Sequence, residues 1–200
     1  MSKEIPDPET ISKASDILVY GAKGEEVKFG SLFDQNKTIV VFIRHFFCGS
    51  FQAYVSHVSQ VPQSALDEAG TKIVVIGCGE WAGIQAYADT TKFSGQIYAD
   101  PSRKLYHSLG MTIETLATTP SGQQKRSYLT SSFFSNVIQS IWRGPLQHPN
   151  LIGKQGNISQ LGGEFIFGPG NSCSFASRMQ HTEDHVEVAD LMAVAGVKYP

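Results

Sequence analysis

Two short runs, Lys37 to Ile43 and Lys72 to Ile76, are apolar at almost every position and rich in Val and Ile. A strand with one solvated face alternates apolar and polar residues, whereas a near-continuous apolar strand needs cover on both faces and suits the centre of a parallel sheet. Helix-like stretches separate these runs: Gly49 to Val58, a segment after Pro62 ending at Gly70, then Gly83 to Thr91 and Pro101 to Leu109 around a strand at Gln96 to Ala99. This β-α-β-α rhythm predicts an α/β fold.

The flanks add detail. Residues 1 to 15 are polar with two prolines and read as an N-terminal arm with one short helix; residues 16 to 200 read as a single domain. Asp16 to Tyr20 and Glu25 to Phe29 flank Gly21-Ala22-Lys23-Gly24, a hairpin pattern. Glu164 to Gly168 and Ser172 to Ser177 flank Gly168-Pro169-Gly170-Asn171, a second hairpin. A last helix is expected from about His185 to Ala195, stopped by Gly196. Between them, residues 110 to 160 form an insertion rich in Ser, Thr, Gln and Gly, with an apolar island from Phe133 to Trp142; at least one helix is expected in so long a segment.

Composition narrows the function classes. The net charge is −2 and the basic residues are scattered, so no electrostatic footprint for nucleic acid or an anionic membrane is present. No apolar run approaches a membrane span, and the N-terminus lacks the apolar core of a signal peptide. Three cysteines, Cys48, Cys78 and Cys173, are too few and odd in number for a secreted disulfide framework. A cytoplasmic chain with free thiols is expected.

Cys48 stands between the end of the first apolar run and the start of a helix. There the positive end of the peptide dipoles favours a thiolate, which makes Cys48 the leading nucleophile candidate. Arg44 and His45 are near enough in sequence to assist: Arg44 by its charge, unless strand alternation turns it to the opposite layer, and His45 as proton acceptor or thiolate partner. Cys78 follows the second apolar run, on the same sheet edge, and is the candidate resolving thiol; a small packed residue is the competing reading. Phe51 stands where a C-x-x-C motif would place its second cysteine. Phe47, Phe51, Phe133 and Trp142 are candidates for an apolar substrate pocket. His181 and His185 share i, i+4 spacing but lack a metalloprotease pattern and a third ligand, so no metal is expected, and Asp184-His185 reads as a helix entry. The glycine pairs have no phosphate-loop spacing, and no cofactor is expected.

Three segments together, Phe42-Ile43-Arg44-His45-Phe46-Phe47-Cys48, Gly162 to Gly170 and Arg178 to His185, resemble the peroxiredoxin-like AhpC/TSA proteins of the thioredoxin superfamily. The nearest in character are fungal members of the peroxiredoxin-like 2 group, and the similarity runs through residues 15 to 197. The resemblance implies a thioredoxin-like fold, a mixed sheet flanked by helices, with the active cysteine opening its first long helix. It also implies thiol-based peroxide reduction or related redox chemistry, with small lipophilic molecules among the substrates; the candidate partners are a small-molecule substrate, an external thiol reductant and a second copy in a homodimer. The chain departs from the pattern at Phe51, at His45, where typical peroxiredoxins carry a hydroxyl residue, and at Gly162-Gly163, where thioredoxin has a cis-proline. Two functions follow: a one-cysteine peroxidase, or a thioredoxin fold retired from redox work that isomerises, eliminates or cyclises a small organic molecule in a biosynthetic pathway. A noncatalytic binding protein is a third.

Overall fold

The computed structural model describes residues 2–130, 151 and 153–199. Seven strands form one sheet: β1 (Leu18–Tyr20), β2 (Glu26–Lys28), β3 (Lys37–Phe42), β4 (Thr71–Gly77), β5 (Gln96–Ala99), β6 (Gly163–Gly168) and β7 (Ser172–Arg178). Their order is β2-β1-β5-β4-β3-β6-β7. β3, β4 and β5 are parallel, with Val40 opposite Val74 and Val75 opposite Ile97, while β6 runs antiparallel to β3 with Glu164 opposite Val41. The early hairpin joins the sheet through Tyr20 opposite Ala99.

Both faces of the central strands are covered, as their continuous apolarity requires. On one face Ile39, Val41, Ile73 and Val75 pack with side chains of α2 (Gly49–Val58), α4 (Ile84–Thr91) and α7 (Val188–Ala195). On the other, Val40, Phe42, Val74 and Ile76 pack with Ile11 and Ala14 of α1 (Pro8–Ser15), with Phe29 and Phe33, and with Leu105 and Tyr106 of α5 (Lys104–Ser108). α3 (Gln63–Glu68) leads from α2 to β4.

The ends of several elements differ from the sequence expectation. α5 starts at Lys104, not Pro101, because Arg103 takes a left-handed backbone at φ 58° that no helix interior permits. α7 starts at Val188, not near His185, because His185 is drawn into the core by a buried carboxylate. Gly196, at φ 71°, caps that helix as expected. Residues 110 to 160 leave and return at one place: Glu114 bridges Gln160, and the Thr115 N–H donates to the Ser159 carbonyl at 2.8 Å. Within the segment, α6 (Ser127–Thr130) packs on α2. The apolar island from Phe133 to Trp142 lies outside the described residues.

Candidate functional site

β3 and β4 part just beyond Phe42. The Ile43 N–H still donates to the Ile76 carbonyl at 2.8 Å and the Cys78 N–H to the Arg44 carbonyl at 3.2 Å. The Tyr106 hydroxyl reaches both strands, 2.6 Å from the Ile43 carbonyl and 2.8 Å from that of Ile76. The chain then turns through His45 to Cys48, whose N–H donates to the His45 carbonyl at 3.1 Å. Cys48 is the N-cap of α2, with no side-chain capping bond, and the Gln52 N–H closes the first helical turn onto its carbonyl at 2.9 Å. The first N–H groups of α2 therefore have no intrahelical acceptor and lie beside the Cys48 side chain. The sulfur is 3.4 Å from the Ser50 hydroxyl, and the residue as a whole is 8% exposed.

Arg44 is buried, yet it makes no ion pair among the described residues. Its guanidinium lies 5.7 Å from the centre of the Phe51 ring, over an aromatic face on α2. Strand alternation would have sent Arg44 to the opposite layer. The strand ends at Phe42, so alternation stops first and the side chain remains on the α2 side. His45 has its pKa pushed down to about 4, chiefly by burial and further by the adjacent Arg44 charge. It is neutral at pH 7, so it offers one acceptor nitrogen and one N–H donor there and no positive charge.

The three thiols occupy different surroundings. Cys48 belongs to the α2 face of the sheet, Cys78 to the opposite core with Tyr106 and Ile76. The Cys78 thiol donates to the Asn157 carbonyl at 3.6 Å, and burial pushes its pKa up to about 12. The sheet thus separates Cys78 from Cys48, against the expectation of a shared edge crevice: a strand end selects a face as well as an edge. Cys173 on β7 is partly exposed, and burial raises its pKa too. Phe51 is 0% exposed, so it is core and not a wall of an open pocket, because the i+3 position of α2 faces the sheet. Phe47 is half-buried at the turn, while Phe133 and Trp142 lie outside the described residues.

Directly beneath α2 is a buried polar group that sequence reasoning missed. Glu164 on β6 and His185 are both 0% exposed, and Nδ1 of His185 contacts Oε1 of Glu164. The His185 ring stacks on Tyr54 with centroids 4.0 Å apart and planes 2° from parallel, and meets the edge of Phe51 at 4.4 Å. Tyr54 and Phe51 both belong to α2. The available signal was Glu164 itself, a lone charge inside Gly163-Glu-Phe-Ile-Phe-Gly168; a carboxylate in a fully buried strand needs a partner. His181, four residues before His185, instead lies beside Asp184 at 4.0 Å. Among the described residues no three His, Cys, Asp or Glu side chains gather as a metal site, and no helix is long and apolar enough to cross a membrane.

Known proteins share this architecture and much of this sequence. Peroxiredoxin-like 2C of Homo sapiens is 35% identical over 189 residues, covering 92% of this chain and 80% of that protein. A prostamide/prostaglandin F synthase of Aquarana catesbeiana is 28% identical, covering 94% and 88%. The solved structure of peroxiredoxin Q from Xanthomonas campestris superimposes with a TM-score of 0.59 over 96% of this chain and 92% of its own, at 13% identity, which supports the fold alone. The model of the AhpC/TSA antioxidant enzyme family matches residues 59–181, more than half of the chain, beginning after Cys48 and α2. The thioredoxin-like sheet, the matched segment and the human relative agree: the chain belongs to the AhpC/TSA family, among its peroxiredoxin-like members.

Proposed function

We propose that the protein is a peroxiredoxin-like thiol oxidoreductase that reduces a peroxide with one reacting sulfur, Cys48. The observation that carries this reading is the position of that sulfur at the N-cap of α2, beside unbonded helix N–H groups. The Cys48 thiolate attacks one oxygen of the peroxide; the S–O bond forms as the O–O bond breaks. The sulfur is oxidised by two electrons to sulfenic acid, and the other oxygen leaves and takes a proton as an alcohol or water. An external thiol condenses with the sulfenic acid, releasing water, and a second thiol reduces the mixed disulfide. Arg44 supplies a fixed positive charge near the helix start, and neutral His45 is a weak base for the thiol proton. Phe51, in place of a second cysteine, and Cys78, on the far face, both favour an external thiol over an internal disulfide. The 8% exposure of Cys48 favours a small peroxide.

A second reading is a lipophilic organic substrate at the same sulfur, favoured by the similarity to the prostamide/prostaglandin F synthase. Titration with hydrogen peroxide, followed by residue-resolved mass spectrometry, tests the first. Cys48 is expected to oxidise at least about tenfold faster than Cys78 and Cys173, because burial of Cys78 and partial burial of Cys173 raise the pKa of both thiols. Inertness of Cys48, or faster oxidation of either other thiol, overturns the peroxidase reading.

A further inference from the structure

Two of the three segments that carry the family resemblance, Gly162 to Gly170 and Arg178 to His185, contribute no atom to the sulfur chemistry described above. The structure brings them together at one point, the contact between Glu164 and His185. That contact is sealed from solvent, and four elements meet around it. β6 supplies Glu164, opposite Val41 of β3. The chain before α7 supplies His185, and the Val186 N–H lies 3.5 Å from the second carboxylate oxygen. α2 supplies Phe51 and Tyr54, and α6 supplies Tyr128, 5.2 Å from Tyr54 and 6.1 Å from His185 between ring centres.

A buried carboxylate beside a histidine is costly to keep, so it requires close and well-aligned partners. Here its partners lie under the helix that opens with Cys48. Tyr54 sits flat on the His185 ring, and Phe51, which also carries the Arg44 guanidinium, stands edge-on to the same ring. Both rings are within the first two turns after the sulfur, three and six residues from it. The Tyr54 hydroxyl and Nε2 of His185 are buried without a hydrogen-bond partner, so ring stacking and the Glu164 contact, not a bond between the two polar tips, hold the arrangement.

We propose that Glu164 and His185 are positioning residues for Cys48: Glu164 fixes the plane of the His185 ring, and that ring braces Tyr54 and Phe51, setting where the start of α2 presents the sulfur. This rests on Cys48 being the reacting thiol. Tyr54, Tyr128, Arg126, Glu183 and Glu187 are ionisable groups of the same surroundings, and Arg44 lies against Phe51. Of these, Tyr54 and Tyr128 meet His185 through their rings, and Glu164 is the group in contact with its Nδ1.

Alkylation of the purified full chain with iodoacetamide, read residue by residue, tests the proposal. In the wild type Cys48 should react faster than Cys173; a Cys48 no faster than Cys173 would mean that the nucleophile assignment itself is wrong, and the positioning role falls with it. Glu164→Gln keeps an oxygen that accepts from Nδ1 of His185 and should hold the Cys48 rate within about threefold of wild type. Glu164→Leu removes that acceptor and should lower the rate about tenfold or more, with the Cys173 rate unchanged. Should the leucine variant not fold, Tyr54→Phe and Tyr54→Leu form the second comparison: the first keeps the stacked ring and the rate, the second loses both. A reactive wild-type Cys48 whose rate is the same in folded Gln and Leu variants, or in both Tyr54 variants, overturns the proposal. So does a parallel change at Cys173, which would indicate general loosening.

Discussion

Phe51→Cys restores the spacing of a C-x-x-C loop and, in the same step, removes a ring on which the site's packing depends. Phe51 is 0% exposed, meets His185 edge-on at 4.4 Å and carries the Arg44 guanidinium at 5.7 Å. Truncating a buried Phe to Ala costs roughly 3–5 kcal/mol; cysteine keeps one more heavy atom, so about 3 kcal/mol is expected from packing. Loss of the cation–π contact of a buried Arg adds about 1 kcal/mol. With a urea m-value near 2 kcal/mol/M, the total of about 4 kcal/mol lowers the unfolding midpoint of the reduced variant by about 2 M. Side chains at i and i+3 of a helix are neighbours, and Cys48 and position 51 hold those places at the start of α2. A disulfide closing so short a loop returns about 2 kcal/mol by chain entropy, so the oxidised variant should recover about half the loss. The assay is urea unfolding with and without reductant, joined to peptide mapping under oxidising conditions and a disulfide-reductase assay. A reduced variant destabilised by less than about 1 kcal/mol would refute the packing account of Phe51. A folded variant whose Cys48 forms no bond to the introduced thiol would refute the claim that α2 opens in the geometry of a redox loop.

The parts of the fold legible in the sequence were those governed by local rules. Continuous Val and Ile runs gave β3 and β4 because a strand covered on both faces tolerates few polar residues, and the turn at Gly168 to Asn171 gave the late hairpin through glycine and Asn171, which takes φ 56°. Cys48 at a helix start was legible for the same reason: β3, the turn and α2 are consecutive. What escaped depends on contacts between distant segments. Glu164 and His185 are 21 residues apart and meet only because β6 lies beside β3 under α2. Cys78 is different, since it keeps the face of Val74 and Ile76, the alternation of β4 carried one residue past Gly77. Arg44 escaped because alternation predicts a side chain's face only while the strand lasts.

Two further outcomes follow from single residues. His45 has a folded pKa of about 4, below its ordinary value near 6.5, so between those limits the unfolded chain binds more protons and stability falls as the pH drops from 6.5 toward 4. His45→Asn should flatten that acid limb in urea unfolding, and an NMR titration placing the His45 midpoint at or above about 6 would refute the assignment. Gly162 stands at the crossing of β6 past the end of β3, where a Cβ would sit 1.8 Å from the Phe42 carbonyl oxygen. That atom is backbone, held in register by the pairing of Phe42 with Gly163, so it cannot swing aside as a side chain would. Gly162→Ala must therefore push apart the strands that position Glu164 and the turn into Cys48, at a cost of about 3 kcal/mol, at the upper end for overpacking. For a chain of this length the melting temperature should fall by roughly 6–12 °C. Gly168→Ala is the control: its Cβ would meet the Ser172 hydroxyl at 2.9 Å, the movable tip of a side chain, and should change stability by less than about 1 kcal/mol. If the two alanine variants melt together, backbone crowding is not why a glycine stands at 162.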